Sequence, residues 1–163
     1  MPELRILSGK YKGTKLASPD LKTTHPMGSR EKLALFNMLG PYLEGAKVLD
    51  YFAGSGALGL EAISRGAATI TFIENNPKAR QTIQENCKAL GIVADFTTDK
   101  DYDIIISDPP YDNYQVPNYT ELLKSGGILA LSHPSNFDPK TISGLTLLKT
   151  NSYAACNISI FTK

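Results

Sequence analysis

The stretch from Val48 to Ala62, VLDYFAGSGALGLEA, limits the fold of this chain more than any other part of it. A short apolar run leads to Asp50, and a glycine-rich turn then opens an apolar helix, which predicts a buried strand that carries an acid at its carboxyl end. Ligands of open α/β sheets bind at that edge. The glycines leave room for a ligand close to the backbone, and the start of the helix offers unpaired N–H groups.

Two classes of cofactor fit this turn. Gly54, Gly56 and Gly59 match the dinucleotide fingerprint G-x-G-x-x-G, which is a weak signal when it stands alone. Asp50 favours a different ligand, because its carboxylate would repel a pyrophosphate but would attract an ammonium and a sulfonium. S-adenosylmethionine carries both of these charges. The pattern D-x-F-x-G-x-G, from Asp50 to Gly56, resembles motif I of the class I methyltransferases.

A second acid stands at the spacing expected for ribose binding. Thr69–Ile73 predicts a strand that ends in Glu74, 20 residues after Gly54. An acid in that place reaches ribose hydroxyls in dinucleotide and S-adenosylmethionine sites alike. Asn75, Asn76 and Pro77 then predict the start of a helix that runs to about Leu90.

The next segment, Ile92–Thr97, predicts a third strand that Asp99 follows. The resemblance to class I methyltransferases implies that Asp99 contacts the adenine of the cofactor. A fourth strand, Tyr102–Ser107, is apolar on both faces and so predicts a central position in a parallel sheet.

This fourth strand leads into the sequence Asp108-Pro109-Pro110-Tyr111. Two prolines after a strand can simply end it, but ending a strand requires neither the acid before them nor the aromatic ring after them. The D-P-P-Y pattern resembles motif IV of the amino-methyltransferases, which act on exocyclic nitrogens. Together with motif I it implies a cofactor site formed by Asp50, Phe52, Ala53, Gly54, Ser55, Gly56, Glu74, Asn75, Asp99 and Asp108.

Chemistry explains these residue types. An exocyclic amine is a poor nucleophile because its lone pair is delocalised into the ring. If Asp108 and the carbonyl of Pro109 each accept one N–H, the nitrogen can pyramidalise and direct its lone pair at the methyl group. Pro109 and Pro110 hold these acceptors rigid, and Tyr111 stacks on the base. The predicted catalytic residues are therefore Asp108, Pro109, Pro110 and Tyr111.

The first 32 residues carry a net charge of +4, against −3 for the rest of the chain. They predict a β-hairpin, with strands at Leu4–Leu7 and Thr14–Leu16 and lysines around an aromatic ring at its tip. Such a tip suits phosphate contacts and base stacking, although the charge alone fits a solvated arm equally well. The predicted RNA-contacting residues are Arg5, Lys10, Tyr11, Lys12, Lys15 and Arg30.

The hairpin carries a closer resemblance. Arg5–Leu16, RILSGKYKGTKL, resembles the opening of the RsmD-type 16S rRNA guanine-N2 methyltransferases of bacteria, and Arg30 and the trio Leu35-Phe36-Asn37 match the same family. His25 stands where that family usually has arginine, and Met27 where it usually has threonine. The resemblance implies methyl transfer from S-adenosylmethionine to N2 of a guanine in 16S rRNA or in the small ribosomal subunit, with the base flipped out of its helix.

The predicted fold is a Rossmann-like α/β methyltransferase, with a mostly parallel seven-stranded sheet, one antiparallel strand and helices on both faces. We expect residues 1–28 to form a basic hairpin arm and residues 29–163 the catalytic domain. The remaining predicted elements are helices over Ser29–Leu39, capped by Ser29 and ended by Gly40-Pro41, and over Tyr119–Lys124, then strands over Gly127–Leu131, Leu145–Lys149 and Ala154–Phe161.

Other features narrow the class of protein. No apolar run approaches the roughly 20 residues of a membrane-spanning helix, and no signal peptide is evident, so we expect a cytoplasmic protein. Cys87 and Cys156 have no C-x-x-C partner, which predicts free thiols and no metal site. His25 and His133 lack a partner that would orient a catalytic base, which favours structural roles. Three alternatives stay open: an amino-methyltransferase of DNA acting on adenine N6 or cytosine N4, a nicotinamide-dependent oxidoreductase, and a non-catalytic rRNA-binding assembly factor.

Overall fold

The computed structural model describes residues 3–20 and 26–163, so His25 lies outside the described residues. Three α-helices, one short 3₁₀-helix (Pro139–Thr141) and eight strands are present in that part of the chain. In order, the α-helices and strands are β1 (Leu4–Arg5), β2 (Lys15–Leu16), α1 (Ser29–Leu43), β3 (Lys47–Tyr51), α2 (Ala57–Ser64), β4 (Thr69–Ile73), α3 (Pro77–Ala89), β5 (Tyr102–Ser107), β6 (Leu123–His133), β7 (Thr146–Ser152) and β8 (Asn157–Thr162).

The central sheet has six strands in the order β4-β3-β5-β6-β8-β7. β4, β3, β5 and β6 are parallel to one another, and β8 is antiparallel to both of its neighbours. This confirms an α/β fold with a mostly parallel sheet and one reversed strand. β1 and β2 form a separate antiparallel pair, in which Leu4 lies opposite Leu16.

The prediction of a seventh strand over Ile92–Thr97 is wrong. This segment runs beside β4, where the N–H of Phe72 donates to the carbonyl of Asp95 at 2.9 Å, but it forms no ladder. The carboxylate of Asp95 accepts the N–H of Thr97 at 2.9 Å. Such a local side-chain bond turns the backbone and competes with strand pairing.

The two faces of the sheet are covered differently. Side chains of α1, α2 and α3 share one buried cluster with alternate strand residues such as Val48 and Ile104. The other face, around Leu49 and Ile105, is covered by residues 112–122 and 134–145, and the part of the chain that the structure describes places no α-helix there. The expectation of helices on both faces is therefore wrong.

The predicted helix over Tyr119–Lys124 is a turn, and β6 begins at Leu123 instead. Pro117 lies just before the turn and cannot donate a backbone hydrogen bond. The Tyr119 side chain is buried, and its hydroxyl is hydrogen-bonded to the hydroxyl of Ser107 at 2.7 Å. This bond attaches the segment directly to β5, and the segment covers the sheet as a turn rather than as a helix.

The first helix is longer than predicted. Its N-cap residue is Gly28 rather than Ser29, and α1 passes through Pro41 to end at Leu43. The last turn is retained because Leu39 and Leu43 are both buried in the core, where their packing outweighs the hydrogen bond that Pro41 lacks.

Apolar contacts and hydrogen bonds, several of them to one buried acid, attach the hairpin to the body. Ile6 and Leu16 are buried in the same cluster as the three helices. The Glu61 carboxylate is fully buried and accepts the N–H of Leu7 at 2.9 Å and the N–H of Ser8 at 3.1 Å. The ammonium of Lys32, also buried, lies 4.0 Å from this carboxylate.

A membrane-crossing helix is not found in residues 3–20 or 26–163, where every helix is too short or too polar for a span.

Candidate active site at the carboxyl ends of β3 and β5

The predicted cofactor turn and the D-P-P-Y segment lie side by side. β3 and β5 are adjacent parallel strands, with Asp50 opposite Ile106 and Tyr51 opposite Ser107. The turn that leaves β3 and the segment that leaves β5 at Asp108 therefore emerge at the same edge of the sheet. This is the edge where open α/β sheets bind ligands.

Asp50 lies beneath the turn. It is 1% exposed, and its Oδ2 accepts the N–H of Gly59 at 2.9 Å. Its Oδ1 has no hydrogen-bond partner among the residues described. Burial raises the pKa of this carboxyl well above its ordinary range, and the hydrogen bond from Gly59 opposes that rise. A cationic ligand group near an unpaired buried oxygen would stabilise the charged form.

The turn itself has an unusual backbone. Phe52 has a φ of 63° and Gly54 a φ of 57°, and a residue other than glycine takes such an angle only where the surroundings enforce it. A Cβ on Gly54 would meet nothing within 4 Å, so the turn faces open space. A Cβ on Gly59 would lie 2.7 Å from the ring of Phe72, so this third glycine serves helix packing.

Glu74 links the glycine turn after β3 to the start of α3. Its Oε2 accepts the N–H of Gly54 at 2.8 Å, and its Oε1 accepts the N–H of Asn76 at 2.9 Å. Each carboxylate oxygen has a second lone pair that a ribose hydroxyl could use. Asn76 caps α3 as predicted, because its side chain accepts the N–H groups of Lys78 and Ala79.

Asp99 is not brought to this edge. Its carboxylate pairs with the ammonium of Lys47 at 2.8 Å, and Lys47 is the first residue of β3. The site forms at the other end of that strand. The implied adenine contact of Asp99 is therefore corrected. The reason is that the segment before Asp99 does not form the predicted strand that would have carried it to the ligand edge.

The cofactor turn fits S-adenosylmethionine. Gly54 leaves an open approach to the backbone, Asp50 supplies an unpaired buried acceptor for a cationic group, and Glu74 lies next to the turn with free lone pairs for a ribose. The same two connections, from β3 to α2 and from β4 to α3, contain the remaining predicted residues Ala53, Ser55, Gly56 and Asn75. Ser55 and Gly56 are buried.

The carboxyl of Asp108 is largely shielded from solvent. Burial raises its pKa to about 6. Pro109 is buried, whereas Pro110 and the ring of Tyr111 face solvent, the latter with 37% of its surface exposed. A cleft of about 280 Å³ opens beside Pro110, lined by Phe52, Pro110, Asn113, Gln115, Val116 and Pro117.

The residues that support the Asp108–Tyr111 segment could not be predicted from the sequence. The hydroxyl of Tyr111 is hydrogen-bonded to the hydroxyl of Ser132, and the hydroxyl of Tyr114 donates to the carbonyl of Ser132 at 2.7 Å. His133, the next residue, is buried, with its Nε2 2.7 Å from the hydroxyl of Ser159 and its ring packed against Phe137. These contacts agree with a structural role for His133.

The predicted RNA-contacting residues lie in different settings. Arg5 and Lys15 both pair with Glu3, and Arg5 also donates to the carbonyl of Gly13 at 2.9 Å, so these side chains brace the hairpin. Arg30 is exposed in the first turn of α1.

The tip of the hairpin carries two exposed lysines. Lys10 and Lys12 are exposed, and within residues 3–20 and 26–163 neither has a carboxylate partner. The ammonium of Lys10 lies 5.2 Å from the centre of the Tyr11 ring, and that ring also packs partly against the core. The N–H of Lys10 donates to the carbonyl of Ser64, the last residue of α2, at 2.8 Å. The tip is therefore at the opposite end of α2 from the cofactor turn.

Comparison with known proteins decides the family. The family model described as conserved hypothetical protein 95 matches residues 4–162. Ribosomal RNA small subunit methyltransferase D of Escherichia coli K12 is 36% identical over 139 residues, which cover 78% of this chain and 70% of that protein. The chain is an RsmD-type class I methyltransferase.

Further relatives agree with this methyltransferase fold. YlbH of Bacillus subtilis is 29% identical over 182 residues, covering 98% of this chain and 99% of YlbH. That alignment is longer than the 163 residues of the chain, so YlbH has segments with no counterpart here. The structure of yhhF from Escherichia coli matches with a TM-score of 0.84 and 27% identity over 99% of this chain and 98% of yhhF.

A more distant structure shares the fold alone. It is the T. thermophilus 16S rRNA N2 G1207 methyltransferase (RsmC) in complex with AdoMet and guanosine. The match has a TM-score of 0.74 and 20% identity, and it covers 99% of this chain and 49% of that one.

One substitution tests the cofactor turn of this RsmD-type methyltransferase. We expect Gly54→Ala to weaken the binding of S-adenosylhomocysteine at least about tenfold, because the added Cβ would occupy the space that the ligand needs. Gly91→Ala is the matched control, since Gly91 also has a positive φ and open space around its Cβ position but lies after α3. Titration calorimetry measures both affinities. Equal affinities in the two variants would contradict the assignment of the turn.

Proposed function

We propose that this chain transfers a methyl group from S-adenosylmethionine to the exocyclic N2 of a guanine in 16S rRNA. The observation that carries the proposal is the adjacency of the glycine turn after β3 and the Asp108-Pro109-Pro110-Tyr111 segment after β5. The name of the Escherichia coli relative supports rRNA of the small subunit as the substrate class. The guanine N2 target comes from the family resemblance and from the amine chemistry of the D-P-P-Y segment.

The residues of the segment prepare the amine. The cofactor supplies an electrophilic methyl group on a sulfonium and leaves as a neutral thioether. Asp108 and the carbonyl of Pro109 each accept an N–H of the amine, which directs the nitrogen lone pair at the methyl carbon. As the N–C bond forms, the amine becomes cationic and releases one proton to the Asp108 carboxylate or to water. Tyr111 fixes the plane of the base by stacking.

The basic hairpin suits the backbone of the same RNA. Lys10 and Lys12 are exposed at its tip, and Arg30 is exposed at the start of α1. The eight residues of α2 are about 12 Å long, so an RNA that delivers its base to Asp108 would have to extend along this helix to reach the tip. We propose residues 1–28 as an RNA-contacting arm on these grounds.

A labelling experiment tests the substrate. The protein is incubated with tritiated S-adenosylmethionine and with unmodified 16S rRNA, assembled small subunits or duplex DNA, and the methylated nucleotide is mapped by mass spectrometry. We expect label in N2-methylguanosine from rRNA or small subunits. Label in DNA alone, or at another position of the base, would overturn the proposal.

The pH dependence of the reaction follows from Asp108. Because burial raises the pKa of this carboxyl to about 6, the acceptor is ionised above that pH and protonated below it. A protonated carboxyl offers the amine a poorer acceptor, so we expect the initial rate to fall about tenfold per pH unit well below pH 6. Rates measured from pH 5 to 8 at saturating cofactor would show this limb. A rate that stays constant down to pH 5 would contradict the role of the carboxylate.

A further inference from the structure

The carboxyl end of β6 lies directly beneath the D-P-P-Y segment. Ser132 is 3% exposed, and its hydroxyl is hydrogen-bonded to the hydroxyl of Tyr111. Its carbonyl accepts a hydrogen bond from Tyr114 at 2.7 Å. The two tyrosine rings pack edge to face with centroids 5.8 Å apart. One residue of β6 therefore holds both tyrosines that follow β5.

The hydroxyl of Ser132 can bond to a second group. A serine hydroxyl accepts and donates at the same time. If Tyr111 donates to Ser132 Oγ, the serine proton remains to donate to the Asp108 carboxylate. Ser107 of β5 lies opposite Leu131 of β6. Asp108 and Ser132 are the next residues along these two paths, so they are neighbours. The Ser132 hydroxyl also opposes the rise in the Asp108 pKa that burial causes. The three side chains then form a chain from phenol to hydroxyl to carboxylate.

We propose that Ser132 is a positioning residue for the transfer: its hydroxyl accepts from Tyr111 and donates to Asp108, and so sets both the plane of the stacking ring and the direction of the acceptor carboxylate. This inference rests on the proposed function. Because Ser132 belongs to a strand in the interior of the sheet, its position is more rigid than that of a loop residue, and it transfers that rigidity to a segment that is partly exposed.

Other titratable groups face Asp108 as well. They are Asp50 from β3, Tyr111 and Tyr114 from the segment after β5, and Cys156 from the turn between β7 and β8. Burial raises the pKa of both tyrosines and of the Cys156 thiol, so these three stay neutral near pH 6. Asp50 is the one neighbour in this set that could also titrate, and the measurement must therefore observe Asp108 itself.

The test uses Ser132→Ala, with Ser132→Thr as the variant that keeps the hydroxyl. The ionisation midpoint of Asp108 is followed in the ligand-free protein by the carbon-13 shift of its carboxyl, assigned by comparison with Asp108→Asn. We expect a midpoint near 6 for the unmodified protein and a higher one for Ser132→Ala, because the hydrogen bond that favours the charged form is lost. We also expect kcat of Ser132→Ala to fall about tenfold, and Ser132→Thr to restore both quantities.

Two further variants separate positioning from folding. Tyr111→Phe should lower kcat but leave the Asp108 midpoint in place, since Ser132 can still donate to the carboxylate. Ser159→Ala is the matched control, a buried serine on β8 that bonds His133 and Thr150, and it should leave the midpoint and kcat unchanged.

The inference fails if Ser132→Ala keeps both the midpoint and the kcat of the unmodified protein, or if Ser159→Ala shifts them equally. A failure of the proposed function is distinguishable, because the unmodified protein would then transfer no methyl group to 16S rRNA. The midpoint comparison in the ligand-free protein would still decide whether Ser132 is linked to Asp108.

Discussion

Replacing Asp108 with alanine should abolish most of the methyl transfer while leaving cofactor binding nearly intact. The carboxylate is expected to accept an N–H of the amine as the nitrogen becomes tetrahedral, and removal of one such preorganised partner typically lowers kcat by about a hundredfold to a thousandfold. Asp108 lies after β5, whereas the turn proposed to bind the cofactor lies after β3. Rates with tritiated cofactor and affinities for S-adenosylhomocysteine give the two quantities.

Asp112→Ala is the control for this experiment, because Asp112 is exposed in the same segment and lacks the burial of Asp108. It should change the rate by less than about threefold, the range typical of exposed side chains. Asp108→Asn keeps one acceptor oxygen and should lie between the alanine variant and the unmodified protein. Full activity in Asp108→Ala would refute the catalytic role of this carboxylate.

The second large effect concerns stability. We expect Glu61→Ala to lower the free energy of unfolding by about 3–5 kcal/mol, the range found when one partner of a buried ion pair is removed. The substitution leaves the buried ammonium of Lys32 and the guanidinium of Arg65, which donates to Glu61 at 3.0 Å, without their carboxylate. It also leaves the N–H groups of Leu7 and Ser8 without an acceptor. Burial already lowers the pKa of Lys32, and Glu61 is the group that opposes this shift. Urea unfolding followed by circular dichroism measures the loss.

A control and a double variant identify the cause. Glu85→Ala removes an exposed acid of α3 and should change the free energy of unfolding by less than about 0.5 kcal/mol. Lys32→Met combined with Glu61→Gln removes the charges of these two residues but keeps an oxygen that can accept from the hairpin and from Arg65, so it should recover part of the loss. If Glu61→Ala and Glu85→Ala unfold at the same urea concentration, the buried carboxylate does not stabilise the fold and the prediction is wrong.

Local patterns in the chain predicted the parts of the site that depend on neighbours in sequence. The strands Thr69–Ile73 and Tyr102–Ser107 lie where their β-branched and apolar runs predict them, and Asn76 caps α3 as expected. The glycine turn and the D-P-P-Y segment are each continuous in sequence and follow strands of a parallel sheet. Their meeting at one edge follows from the direction of those strands.

The elements predicted wrongly were those in which a contact distant in sequence outweighs a local preference. Residues 119–124 pattern as a helix, yet Tyr119 bonds Ser107 of β5 and the segment turns. Gly40-Pro41 is a local stop signal, yet Leu43 holds the last turn of α1 on the core. Asp99 was placed by the strand expected before it, and without that strand it pairs with Lys47 instead.

By itself, the sequence determined the class of fold, the positions of the main parallel strands and the two segments assigned to the proposed reaction, because strand runs, glycine turns and prolines act over a few residues. Only the tertiary structure decided what supports them. The link between Tyr111 and Ser132 spans 21 positions, and that between Leu7 and Glu61 spans 54. Such partners are chosen by the packing of strands and helices in space, and no periodicity along the chain encodes that choice.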